Sequence, residues 1–396
     1  MAPPAPARRQ RPRPPSGPAL PMTVVLLAAA VLVFLHPFVL YPLILFLVPS
    51  RRPLRPASED PQPTVAMVIS ALNEGNIIGE KLENSFALDY PKDKLHVYLI
   101  NDGSTDATGA VARQFVPRGL RLTERSARRG KAANLNDVVS SLTEEIVLLS
   151  DANVIYHPQA VTHLVARFAD PTVGCVSGRV VLTGTTGELN SSEKLYYSLE
   201  WFLQHKASAV YSMCGVDGAM HAFRRSLFRP APADTIVEDF VLGMDIARQG
   251  YRVVFEPTAL AWERGPASLS EEFRRKVRVA AGAAQAMLRG NAFPSGGPAV
   301  FWAIFVSHKL LRWLAPVTAL LMLLLAAAAW PHWLAKGVLA AAAAVVLLAA
   351  VRFLTGLSVG LLNAPFYFLF GQIAMLAGLV KGLAGAQSVL WEKRNR

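Results

Sequence analysis

The sequence predicts an α/β domain built on a mostly parallel sheet and flanked by apolar segments of membrane type. Three observations predict it. Short apolar runs alternate with helical patterns from Thr64 to about Met287, polar clusters close several of those runs, and nearly uninterrupted apolar stretches lie on both sides. In open α/β sheets ligands bind beyond the carboxyl ends of the strands, which is where Asn73-Glu74, Asp102 to Asp106 and Asp151 to Asn153 fall.

The elements follow in order. Residues 1–21 are rich in Pro, Ala and Arg, cannot bury a core, and read as a disordered tail. Residues 22–48 are apolar almost throughout; a crossing takes about 20 such residues, so one transmembrane helix fits and a hairpin does not. His36, Pro37 and Pro42 predict a kink in it. A signal peptide is the competing assignment, because Arg8 to Arg13 precede the run, but the run is long for one. Residues 49–63 are a charged, Pro-rich linker.

The region 64–292 reads as one α/β domain. Thr64–Ala71 reads as a buried strand, Gly79–Leu88 as a helix and Leu95–Ile100 as the next strand, a βαβ unit that implies parallel pairing. Glu145–Leu149 is a further strand, and a helical pattern runs from Glu238 to about Gln249. Residues 299–314 carry Trp302, His308, Lys309, Arg312 and Trp313 among apolar neighbours and predict an amphipathic helix at the membrane interface. Residues 315–383 predict a C-terminal transmembrane region of about three helices, and 384–396 a basic tail.

The net charge of +12, from 40 basic and 28 acidic residues, fits positive charge on the cytoplasmic side of membrane spans. Attraction to anionic membrane lipids or to phosphates is the sharper, less favoured reading. No zinc-finger, RNP or helix-turn-helix pattern directs the charge to nucleic acid. Cys175 and Cys214 are too few for a disulfide scaffold or a zinc site. Lys381, Lys393, Arg394 and Arg396 favour a cytoplasmic C-terminus. One span before the domain and three after it place that end across the membrane from the domain, so charge and span count conflict.

The polar clusters suit a nucleotide-diphosphate sugar, which needs acceptors for its base and ribose, cations for its phosphates and a base for the incoming hydroxyl. Asp102, Ser104 and Asp106 surround a tight turn at Gly103, which turn and capping chemistry alone also explains. Arg129 and Lys131 flank Gly130 in a pattern suited to phosphates. Asn134 and Asn136 follow at a helix start, whose backbone N–H groups add to an anion site. Asp151 and Asn153, two residues apart at a strand end, offer oxygen ligands to a hard divalent cation. Glu238-Asp239 opens a helix, where carboxylates also favour the macrodipole; in the functional reading Asp239 is the general base and Glu238 tunes or orients it. Arg274, Arg275 and Arg278 fall within one helical turn, as phosphate clamps or as a solvated basic face. There is no G-x-x-x-x-G-K-[ST] loop, which counts against nucleotidyl or phosphoryl transfer.

In this order the motifs resemble the membrane-bound family 2 glycosyltransferases, the group of the hyaluronan, chitin, cellulose and poly-N-acetylglucosamine synthases. The residues that carry the resemblance are Ala71-Leu-Asn-Glu74, Asn101-Asp-Gly-Ser-Thr-Asp106, Arg129-Gly-Lys131 with Asn134, Asp151-Ala-Asn153, Gly218-Ala219, Glu238-Asp239 and Glu272 to Arg278, followed by Ser307 to Trp313. The resemblance implies a GT-A fold, an inverting displacement that forms a β-linkage, and Mg2+ or Mn2+ as cofactor. It implies that Asp102 contacts the nucleoside, that Asp151 serves the diphosphate and metal, that Gly218-Ala219 borders the acceptor and that Asp239 is the base. The partners implied are a nucleotide-sugar donor (UDP-linked), a polysaccharide or lipid-linked acceptor, membrane lipids and an export partner, at the plasma (inner) membrane with a cytoplasmic catalytic domain. Two positions depart from the family pattern. Asn153 replaces the second Asp of the metal motif, and Arg275 and Val279 stand where Gln and Trp are usual around Arg278. The missing Trp, which would stack on an acceptor sugar, points to a short or lipid-linked acceptor.

Overall fold

The computed structural model of the chain describes residues 20–49, 62–183, 190–266 and 268–390. Most of the tail and linker expected before the domain, and residues 391–396 of the basic tail, lie outside the described residues.

The chain begins with α1 (Met22–Leu35), a π-helical turn at His36–Leu40 and α2 (Tyr41–Leu47), stacked as one apolar helix. The π-helical turn coincides with Pro37, which has no N–H for the helical ladder. The domain then runs β1 (Val65–Ala71), α3 (Ile78–Phe86), β2 (Leu95–Asn101), α4 (Thr108–Arg113), β3 (Arg121–Glu124), α5 (Lys131–Ser141), β4 (Ile146–Asp151), β5 (Val154–Tyr156) and α6 (Ala160–Ala166). It continues with β6 (Val173–Thr183), α7 (Asn190–Val210), β7 (Met220–Arg224), α8 (Glu238–Arg248), β8 (Arg252–Arg264) and α9 (Leu269–Leu288).

The strands form one sheet in the order β3-β2-β1-β4-β7-β6-β8-β5. The first four neighbours are parallel, as the βαβ pattern implies, and β7 enters antiparallel to both β4 and β6. The chain is thus an α/β protein with a GT-A-type mixed sheet. Strand β1 is buried over nearly its whole length, as a central parallel strand must be. Its alternate residues feed two cores. Val65, Met67 and Ile69 face one with Ile78 and Leu82 of α3. Ala66 and Val68 face the other with Leu135 of α5, Met244 of α8 and Ala283 of α9. Tyr41 and Leu45 of α2 belong to this second core, so the end of the first apolar helix is built into the domain.

Beyond α9 come α10 (Ala299–Phe305), a π-helical turn at Val306–Leu310 and α11 (Leu311–Trp313), then a 69° bend into α12 (Ala315–Ala328). The chain ends in α13 (Trp333–Thr355) and α14 (Gly360–Leu383). Among the described residues, Met22–Leu47, Trp333–Thr355 and Gly360–Leu383 are long and apolar enough to cross a membrane, and the bent pair makes up to four. The basic side chains of 299–314 do not form an outward polar stripe. His308 is buried with its Nε2 3.0 Å from Glu200 of α7, Arg312 Nη1 lies 2.7 Å from the same carboxylate and Lys309 4.0 Å. Trp313 packs edge-on against Phe240 at 5.4 Å between ring centroids. A recurrence of cations that reads as a polar face in sequence is an ion-pair cluster around one carboxylate.

Candidate active site

Parallel register places the carboxyl ends of β1, β2 and β4 side by side, with Ala71 opposite Asn101 and Ser70 opposite Asp151. The loops that leave them are sewn together. Asn73, with φ +55°, donates its backbone N–H to Ser104 Oγ at 2.9 Å and accepts from the Thr105 N–H at 2.9 Å. The Glu74 N–H donates to Thr108 Oγ1 at 2.8 Å. Asp106 accepts from the Gly75 N–H at 2.9 Å and from the Thr108 N–H at 3.0 Å. Partial burial pushes the Asp106 carboxyl up, but these hydrogen bonds outweigh it and hold it below its ordinary range. Asn73, Ser104 and Asp106 therefore shape the loop pair that frames the site.

Asp102 accepts from the backbone N–H groups of Arg129 at 2.7 Å and Gly130 at 2.9 Å. One carboxylate thus fixes the turn that opens α5. Arg129 pairs with Asp137, which also pairs with Arg125 at 2.9 Å. Asn134 points inward: its amide donates to the Gly130 carbonyl at 3.0 Å and its oxygen accepts from Arg125 Nε at 3.1 Å. Asn136 ties α5 to the loop ahead of α8 by exchanging two bonds with Ala231. Gly130 itself is buried, and Val389 and Leu390 lie over it: a Cβ there would meet their side chains at 3.8 and 3.7 Å.

Lys131 is the hinge of the site. Its Nζ lies 2.8 Å from Asp151 Oδ1 and 3.0 Å from Glu238 Oε1, joining the end of β4 to the start of α8. Burial disfavours its charge, but Asp151, Glu238 and Asp239 overcome this and raise its pKa. Asn153 donates its amide to Glu263 Oε1 on β8 at 3.1 Å. Beneath this loop the buried Lys81 donates to the Val154 carbonyl at 2.6 Å; burial lowers its pKa to about 7.

Asp239 is the second residue of α8 and sits half-buried. Burial first, and the neighbouring Glu238 second, push its carboxyl up to about 6, with Lys131 pulling the other way. The loop before β7 closes onto it. A Cβ at Gly218 would stand 2.5 Å from Asp239 Oδ2, so only glycine admits this approach. Asp217 in the same loop accepts from the Ala219 N–H at 3.0 Å. Burial raises it to about 7, with Glu263, Asp239 and Asp151 adding to the rise.

The approach to Asp239 is clamped from α9. The side chain of Gln285 accepts from the Ile236 N–H at 3.0 Å and donates to the Asp234 carbonyl at 2.9 Å. Arg278 donates to the Ile236 carbonyl at 3.2 Å, and Arg289 pairs with Asp234. Gly282 lets the helix touch the strand-like segment, since a Cβ there would stand 2.5 Å from Val237 Cγ1. Arg275 pairs with the buried Glu272 at 2.8 Å.

The fold thus brings Lys131, Asp151, Glu238 and Asp239 together, with Asp102 at one end and Gly218 beside Asp239. It turns Asn134 inward and commits Arg278 to the segment ahead of α8. Sequence reasoning missed Asp217, Glu263 and Gln285. Asp217 had a signal in its place directly before Gly218-Ala219; Glu263 and Gln285 reach the site only through the fold.

Residues 61–282, more than half of the chain, match the sequence model of the family described as glycosyltransferase like family 2. The chain is similar to the poly-beta-1,6-N-acetyl-D-glucosamine synthase of Staphylococcus epidermidis, 23% identical over 252 residues that cover 62% of this chain and 58% of that protein. It is similar also to the synthase of the same name from Staphylococcus aureus (strain MSSA476), 26% identical over 231 residues, 57% of this chain and 56% of that one. It therefore spans a little over half the length of these relatives. Among solved structures it is similar to the mannosyltransferase PcManGT from Pyrobaculum calidifontis in complex with GDP-Man and Mn2+, with a TM-score of 0.73 and 25% identity over 92% of this chain and 100% of that one. That coverage takes in apolar helices as well as the sheet domain.

Proposed function

The chain belongs to glycosyltransferase like family 2, an enzyme family that uses nucleotide-sugar donors, and we propose that it is an integral membrane, inverting transferase whose general base is Asp239. The observation that carries the proposal is the placement of Asp239. It sits beside the Lys131–Asp151 pair at the strand ends, against Gly218, with its carboxyl raised to about 6. A base near that value is ionised at neutral pH and close enough to it to take a proton in the transition state.

The acceptor hydroxyl attacks the anomeric carbon as its proton passes to Asp239. The new C–O bond forms while the bond to the diphosphate breaks, and the nucleoside diphosphate leaves with the electron pair. Glu238 raises the basicity of its neighbour and, through Lys131, holds the start of α8 against β4. Asp102 orders the Arg129–Lys131 turn for the nucleotide and keeps lone pairs for the nucleoside. Asp151 and the carbonyl of Asn153, two residues apart where β4 ends, would offer oxygen donors to a hard divalent ion, Mg2+ or Mn2+. Such an ion supplies charge neutralisation at the diphosphate. The donor is a nucleotide sugar, UDP-linked in the reading drawn from the family motifs. The acceptor is a growing polysaccharide or a lipid-linked sugar, and Val279 in place of Trp favours a short or lipid-linked product. The catalytic domain faces the cytoplasm, where such donors are made.

The test uses membranes containing the full chain, a panel of labelled nucleotide sugars with Mg2+ or Mn2+, and size-resolved products. Transfer from one donor is expected, and Asp239→Asn is expected to cost about 10²- to 10⁴-fold in kcat with donor binding retained. Absence of transfer from every donor, or undiminished turnover by Asp239→Asn, overturns the proposal.

A further inference from the structure

We infer that α14, although long and apolar enough to span a bilayer, does not cross it. It lies along the catalytic domain with its free apolar face on the membrane surface. The chain then crosses three times, and the segment after α14 stays on the domain's side. The inference rests on the membrane reading above.

The contacts of each helix end establish the direction of travel. Tyr41 and Leu45 of α2 sit in the domain core, whereas Val24 and Leu27 of α1 sit in a separate cluster with Ala326, Ala329 and Ala335. From Val24 the helix advances about 18 Å to His36, whose Nε2 lies 2.8 Å from Ser307 Oγ in the turn next to His308 and Glu200, so the domain's border is reached at His36. The cluster at Val24 therefore marks the face away from the domain. Helix α12 starts next to Trp313, which packs on Phe240 of the domain, and ends in that far cluster. Helix α13 starts in the far cluster at Ala335, and its 23 residues carry it about 34 Å back. Four residues later α14 therefore begins on the domain's face. Arg352 at the end of α13 donates to Asn363 near its start at 2.9 Å, a polar pair suited to a membrane border rather than its centre.

From Phe370 onward α14 stays on the domain. Phe370 meets Phe273 of α9 at 5.5 Å, and Met375 packs against the domain core. A Cβ at Gly378 would collide with Ala280 and the Val277 carbonyl, and one at Gly382 would stand 2.5 Å from the Ala281 carbonyl. The two helices run side by side in the same direction, backbone against backbone, as small residues four apart permit. Val389 and Leu390 next lie on Gly130, inside the donor half. Mid-helix, Phe368 touches Phe34 and Phe38 of the first apolar helix. The face opposite α9 carries Leu361, Ile373, Val380 and Leu383, all exposed, which a lipid surface covers. With α14 removed from the count, the segment that carries Lys381, Lys393, Arg394 and Arg396 falls on the same side as the catalytic domain. The conflict between charge and span count disappears.

Single cysteines in the full chain test this, read by labelling with a membrane-impermeant maleimide before and after permeabilisation. The native Cys175 and Cys214 are buried and stay silent. Gln114→Cys marks the domain's face and Trp333→Cys the far face. Leu357→Cys and Ala386→Cys are both expected to label with Gln114→Cys, at least tenfold faster after permeabilisation. Ser358→Cys and Ser388→Cys repeat the measurement should either variant fail to insert. Labelling of the two ends of α14 from opposite faces, or of both with Trp333→Cys, overturns the inference. Identical labelling of Gln114→Cys and Trp333→Cys is the separate failure of the membrane reading itself. All of these outcomes are read without turnover.

Discussion

The two halves of the site are held in different ways. In the proposed donor half, β1 to β4, the loops after β1 and β2 are tied to each other and to the start of α5, and the carboxylates of Asp102 and Asp106 each accept from two backbone N–H groups. In the base half, Asp217 and Asp239 are raised to about 7 and about 6, and the segment leading to Asp239 is held by α9 from one side. Helix α9 is in turn held by α14. The half proposed to bind the nucleotide takes its geometry from local turns, whereas the half proposed to hold the base takes it from α9 and, through α9, from α14.

That contrast can be broken from the donor side first. Asp102→Ala removes the acceptor of two charge-assisted bonds worth about 1.5–3 kcal/mol each. The expected result is a donor Kd up by about 100-fold with kcat little changed, measured by titration with nucleoside diphosphate and by initial rates. A smaller effect of opposite signature is expected from Gly282→Val, which pushes α9 against Val237. Overpacking of about 1–3 kcal/mol there lowers kcat about tenfold and leaves the donor Kd unchanged. Gly378→Val, on α14, is expected to give the same split more weakly. If either variant instead weakens donor binding, the two halves are not independent.

The pH profile sharpens the same contrast. As the proposed base Asp239 must be ionised, and its pKa is raised, so the rate is expected to fall as pH drops through about 6 and to be full above it. Because Glu238 contributes to that rise, Glu238→Gln is expected to move the acidic limb to lower pH, giving a several-fold relative gain near pH 5.5. An unmoved limb assigns it to another group, Asp217 first. The smallest effect is expected from Asn153→Asp: a carboxylate in place of a neutral carbonyl lowers the metal concentration for half-maximal rate about threefold. The measurement is a metal titration at saturating donor.

The sequence carried the donor half because its chemistry is local. Asn101-Asp-Gly-Ser and Arg129-Gly-Lys131 are turns whose residue types state their own geometry, and the βαβ spacing places them at strand ends. The base half is assembled from distant pieces. Glu263 meets Asn153 and Gln285 meets Ile236 only after β8 and α9 are packed, so nothing local marks them. Spacing also misled where it reports charge without partner. The cations at 308, 309 and 312 share a face, but their partner is Glu200 of α7, 112 residues before Arg312 in the chain. Hydropathy measures what a helix avoids, so it does not separate α14, packed along α9, from a helix that crosses.

The contact of Val389 and Leu390 with Gly130 also sets an order in time. During synthesis the Arg129–Lys131 turn leaves the ribosome long before the residues that cover it, and α12, α13 and α14 are made in between. A growing chain therefore carries that turn uncovered until α14 is packed along α9. Completion of that wall reports correct packing of α14, and a bulky tag fused after residue 390 would begin beside Gly130.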